Sequence, residues 1–221
     1  MAASPLCKLL FAAVLALAAL SASASSSEAL LNAIIDRQPT RVAILLDQGV
    51  SPEAASAVGE NHGKTALMWA AETGQTDVIR MLVDYGAVVD RGNAKGGTAL
   101  MYAAVAGRTE AIRSLVEAGA DPNHRVRHGW TPLLLATAKG HVDAVRLLTL
   151  LGADPKTRDV YGWTLLMHAT ERADRAMVST LLDLGLDPQD RDASGTDAIT
   201  LARRGNHADL VELLEHAGSA R

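Results

Sequence analysis

His124 and His128 stand four residues apart with Arg125 and Arg127 between them, the sharpest local charge feature of the sequence. Two imidazoles at that spacing suit a metal ion, but such a site needs at least a third ligand, and none is evident nearby. The two guanidiniums instead suit an anion or an acidic partner, beside the aromatic Trp130. A solvated loop tip is the plainer reading of the same stretch. Elsewhere, the only cysteine is Cys7, and no G-x-S-x-G elbow, phosphate-cradling glycine loop or H-E-x-x-H helix occurs. No acid, base or nucleophile converges with another, so the residues give no support to catalysis, and no metal or cofactor is expected.

Binding chemistry is better represented. Trp69 and Tyr102 lie 33 residues apart, and the same step continues through Leu135, His168 and Leu201. Trp and Tyr are among the side chains most enriched at binding hot spots. Two more tryptophans, Trp130 and Trp163, are also 33 residues apart. Each precedes a threonine, where packing at the base of a turn is the simpler role. The first column reads equally well as partner contacts or as packed side chains.

These columns exist because the chain repeats itself. Thr65, Thr98, Thr131 and Thr164 fall at steps of 33, with Asp197 in the next place. Gly63, Gly96, Gly129, Gly162 and Gly195 precede that slot by two residues. Gly74, Gly107 and Gly140 follow it by nine, replaced by Ala173 and then Asn206, and Gly86, Gly119, Gly152, Gly185 and Gly218 close each unit. A fixed period of this length signals a repeat architecture. Within a unit, a stretch such as Ala66–Thr73 has room for two helical turns before the glycine breaks it. An amphipathic helix follows, with Ile79, Leu82 and Val83 on one face and Ile112, Leu115 and Val116 repeating it. The closing glycine suits a left-handed C-cap. The Gly-, Pro- and Asp-marked remainder suits a hairpin-like turn. So short a helix pair buries no core alone, and it becomes stable only when stacked on its neighbours.

"GWTPLLLATAKGHVDAVRLLTLLGAD", Gly129–Asp154, resembles the ankyrin-repeat phrase, and five units from Gly63 to Gly218 follow it. The resemblance implies an all-α repeat solenoid of stacked helix-turn-helix units joined by β-hairpin-like loops. It also implies a concave partner surface made by the first helices and the hairpins, which would hold the Trp69, Tyr102, Leu135, His168 column. His141 and His207 fall in the family's turn slot and are expected to be structural. One departure stands out: the family histidine after the threonine is replaced by Met68, Met101, Leu134, Met167 and Thr200. The usual threonine–histidine hydrogen bond is therefore expected to be absent.

Residues 28–62 read as a worn first unit, with a four-residue insertion before units at 63–95, 96–128, 129–161, 162–194 and 195–221. Arg41 and Glu215 fall in columns that are otherwise mainly apolar, as solubilising end caps should. Residues 1–24 have one cation, Lys8, then an apolar run and Ala22 and Ala24 in an A-x-A arrangement, the pattern of a cleaved export signal. Cleavage before Ser25 leaves a single repeat domain at 25–221 with no cysteine and no stable membrane anchor. The whole chain has 21 cations against 25 anions, a balance unlike that of a nucleic-acid binder. Sixteen arginines to five lysines, with heavy alanine use, point to a bacterial periplasm, with secretion as the second location. The expected function is a monomeric, non-catalytic protein-binding module, one version being an immunity protein that plugs a toxin. The rival is a haem carrier or chaperone: exported ankyrin proteins resembling this one accompany catalases, and Tyr102, His168 and the Met68, Met101 and Met167 column offer ligands.

Overall fold

Threonine makes a good helix N-cap because its hydroxyl accepts from an otherwise orphaned backbone N–H. The computed structural model, which describes residues 25–57 and 61–219, uses the column in that way. Thr65, Thr131 and Thr164 accept from the backbone N–H groups of Met68, Leu134 and Met167, and Asp197 accepts from Thr200. Helices therefore begin one residue after each slot. The inner series is α3 (Ala66–Thr73), α5 (Ala99–Val105), α7 (Pro132–Lys139), α9 (Leu165–Glu171) and α11 (Ala198–Arg204). Thr98 is the exception, since its buried hydroxyl makes no hydrogen bond.

Each inner helix stops after about two turns, and an outer helix follows: α4 (Thr76–Asp84), α6 (Thr109–Glu117), α8 (Val142–Leu150), α10 (Arg175–Asp183) and α12 (Ala208–Ser219). The turn between them needs a left-handed residue. Gly107 supplies it at φ 65°, and a Cβ there would sit 2.7 Å from the ring of His141. Where the glycine has been replaced, the backbone conformation persists, with φ at 54° for Ala173 and 56° for Asn206. The worn first unit obeys the same rule, pairing α1 (residues 25–35) with α2 (Pro39–Asp47) across Arg37 at φ 55°. Helix is already present at Ser25, three residues before the expected boundary at Glu28. Arg41 and Glu215 are both exposed.

One expectation fails. The closing glycines at 49, 86, 119, 152 and 185 are left-handed, but Gly218 lies inside α12. The helix runs on through Gly218 to Ser219. The lost threonine–histidine bond is also partly replaced. The sulfurs of Met68 and Met167 accept from the Thr65 and Thr164 backbone N–H groups, each at 3.4 Å. A methionine thus completes a capping box with a weaker acceptor.

Packing is between neighbours. The principal contacts run along the inner series, along the outer series, and within each pair. The column Ala70, Ala103, Ala136, Ala169 and Ala202 is buried throughout, which lets inner helices approach closely. Leucines such as Leu100, Leu133 and Leu166 fill the layer toward the outer helices, where Ile79, Ile112, Val145 and Val178 meet them. Among the described residues no helix is long and apolar enough to cross a membrane. The expected leader at 1–24 lies outside the described residues.

Candidate functional site

The connections form a row of turns, which we call fingers, beside the start of each inner helix. An acceptor side chain organises most of them. Asn93 Oδ1 accepts from the Lys95 and Gly97 N–H groups at 2.9 Å, and Asp159 Oδ1 does the same for Tyr161 and Trp163. Asp192 accepts from Ser194 and Thr196 at 2.8 and 2.9 Å. In the finger between α6 and α7 the equivalent residue is Val126, whose side chain has no acceptor. That finger takes a different course, a 3-10 turn over Arg127–Gly129 with His128 left-handed at φ 68°. The fingers after α4, α6, α8 and α10 each close by a return bond to the finger base, as from Val126 N–H to Trp130 O at 3.0 Å. The loops are hairpin-like in that sense, and the one ladder-type pairing among the described residues is an isolated bridge between Ala55 and Thr65.

Two columns of side chains interlock where fingers meet inner helices. The finger-base column reads Lys64, Gly97, Trp130, Trp163 and Thr196. The helix column reads Trp69, Tyr102, Leu135, His168 and Leu201, and every member is half-buried. Contacts run from a finger-base residue to the helix residue five places on, as from Lys64 to Trp69 and Trp163 to His168, and to its counterpart one repeat later, as from Lys64 to Tyr102 and Trp130 to His168. Lys64 follows this rule with a cation: its ammonium lies 3.5 Å from the Trp69 ring centroid and 4.6 Å from that of Tyr102. Glu72 completes the enclosure through an ion pair, and only 3% of Lys64 remains exposed. Gly97, with no side chain in the next slot, leaves the Tyr102 face open to it. Tyr102 is fixed from the other side, its hydroxyl accepting from Asn93 Nδ2 at 2.9 Å. Burial pushes its phenol above the usual value, against the lowering effect of that bond.

Further along, Trp130 and Trp163 enclose His168, with ring centroids 5.0 and 5.2 Å away. Asp159 Oδ2 lies 3.2 Å from His168 Nε2, but the two are out of line for a hydrogen bond. Burial dominates here and lowers the imidazole pKa, although Asp159 acts to raise it. We therefore take the ring as neutral near pH 7.

The residues singled out in the sequence thus fall into separate groups. Trp69 and Tyr102 share one cluster, and Trp130, Trp163 and His168 form another; Leu135 lies in the helix column between them. Arg125 is spent on the next finger, donating to Arg158 O at 2.6 Å and Thr157 Oγ1 at 3.3 Å. Arg127 and His128 are exposed, while His124 Nε2 is 3.2 Å from Gly96 O. His141 is structural as expected, its Nε2 2.8 Å from Val105 O. Among the described residues no three His, Cys, Asp or Glu side chains converge on one point. The side chains behind the haem reading are engaged within the fold: Tyr102 with Asn93, His168 between indoles, Met68 and Met167 in caps. Sequence reasoning missed Lys64 and Asp159. The signal for Lys64 was its place in the Trp130 and Trp163 column, directly before the threonine.

A family model described as ankyrin repeats matches the chain in three copies, over residues 2–93, 88–159 and 148–220. No curated protein matches the chain significantly.

Proposed function

We propose, starting from a chain that belongs to the ankyrin-repeat family, that it binds a protein partner through its finger and inner-helix face and catalyses nothing. The repeats indicate a protein–protein interaction module. The observation that supports this face is the continuous ridge from Trp69 to Leu201, half-buried in every unit, with fingers beside it. Rigid aromatic side chains already held in place lose little entropy on binding. The work happens in the periplasm after cleavage before Ser25, and the partner is an enzyme or toxin whose active site the face covers. That location rests on the leader pattern and the composition.

The test is affinity capture from periplasmic extract, identification by mass spectrometry, then affinity measurement at a temperature where every variant is folded. Trp69→Ala and Tyr102→Ala are compared with Leu150→Ser, whose side chain is 79% exposed on an outer helix. At least one concave variant should lose about 2 kcal/mol of binding, the scale of a hot spot. Lost affinity in Leu150→Ser alone would move the interface to the other face. Intact-mass analysis of natively expressed protein should begin at Ser25, and a product retaining residues 1–24 would end the periplasmic assignment.

A further inference from the structure

We propose that the C-terminal part of this face docks a partner segment that sets an apolar side chain beside a carboxylate. The proposal rests on the protein-binding reading and narrows it to one subsite. In the N-terminal half the aromatic faces are already occupied, because Lys64 lies over both Trp69 and Tyr102. The finger between α8 and α9 differs. Val160 is 58% exposed and Tyr161 65%, and with Trp163, Leu201 and Arg204 they border an open groove of about 490 Å³.

The backbone holds these side chains outward. The Val160 N–H donates to His128 O, and Tyr161 O accepts from Ala193 N–H, both at 3.1 Å. The Tyr161 N–H is held by Asp159 Oδ1 at 2.9 Å. The finger is thus fixed from both neighbouring repeats, and an incoming segment orders little that is loose.

Charge selects the occupant. Arg203 pairs with Glu215, Arg191 with Asp197 and Arg158 with Asp190. The side chain of Arg204, exposed at the groove, makes no ion pair or hydrogen bond among the described residues. The carboxylate in the lining, Asp192, is turned to its own finger, where Oδ1 takes the Ser194 N–H, the Ser194 hydroxyl and the Thr196 N–H. Asp192 keeps its charge, but its finger's donors are spent on it; the donor left unengaged at the groove is the planar Arg204 guanidinium, whose geometry matches a carboxylate in two parallel hydrogen bonds.

The test uses the chain from Ser25 to Arg221 and two capped hexapeptides, one with a phenylalanine and two aspartates, the other with lysines replacing the aspartates. The Trp163 indole and Tyr161 ring resonances report occupancy by NMR. The acidic peptide should shift both at millimolar concentration and be preferred by about tenfold, the effect of one charge-assisted bond. Arg204→Glu should reverse that preference, and Arg204→Gln should abolish it. Equal binding of the two peptides, a preference indifferent to residue 204, shifts at Trp69 and Tyr102 instead, or no shifts at all would each overturn the proposal. Against a captured native partner, unchanged affinity in Tyr161→Ser and Arg204→Glu removes this subsite while leaving the binding module in place.

Discussion

His168 and Lys64 are each enclosed by two aromatic rings of one interlocking ridge. The imidazole lies between two indoles with its pKa pushed below 6.5, so the folded protein holds it neutral. As pH falls, the unfolded chain takes up that proton first. The contribution of His168 is therefore full above about pH 6.5 and is lost as pH falls further. Urea midpoints measured from about pH 7 to pH 5 should decline in the parent chain and decline less in His168→Gln. An unchanged slope would mean that folding does not move the pKa of this ring, and a steeper decline in the variant would mean that Asp159 holds it charged. Lys64 rests its ammonium on two π faces. Glu72 is 37% exposed, so water screens that pair and the rings carry more of the interaction. Lys64→Met should cost about 1–2 kcal/mol, the range of a desolvated cation–π contact, and should shift tryptophan fluorescence. Neither arrangement was legible in the sequence. Lys64 meets Tyr102 and Trp130 meets His168 only because stacking brings one unit's finger over the next unit's helix. The sequence shows the columns but not their interlock.

Helices and turns were more legible, because their causes are local. A threonine before an apolar run and a glycine nine residues later set α3 at Ala66–Thr73, the span its spacing allows. The same turn column makes two predictions of opposite sign. Ala173 is held at φ 54°, and left-handed backbone costs a residue with a Cβ about 1–2 kcal/mol. Glycine removes that strain but gives the unfolded chain about 0.4–1 kcal/mol of extra entropy, so Ala173→Gly should stabilise by about 0.5–1 kcal/mol. Gly107→Ala meets both penalties, a φ of 65° and a Cβ 2.7 Å from His141. It should destabilise by about 2 kcal/mol or more in the same urea titration. Where the sequence misled, at Gly218, the residue type was right for a cap, but α12 continues through it to Ser219.

For the molecule as a whole, contacts confined to neighbouring repeats imply that stability is a sum over interfaces rather than the property of one centre. Deleting Gly129–Tyr161 joins His128 to Gly162 and presents Trp163 where Trp130 had been. The product should remain soluble and helical by circular dichroism, whereas deleting half that length from the same start should unfold it. If both deletions unfold alike, the units are not interchangeable. The period made this architecture readable; the partner is a property of exposed chemistry, on which the period is silent. The central claim, that the fingers and inner helices form the binding surface, is tested most directly by amide hydrogen exchange of the chain alone and with its captured partner. The account predicts slowed exchange in the loops at 118–131, 151–164 and 184–197 and in α7 and α9, with α6, α8 and α10 unchanged. Protection confined to those outer helices would contradict it.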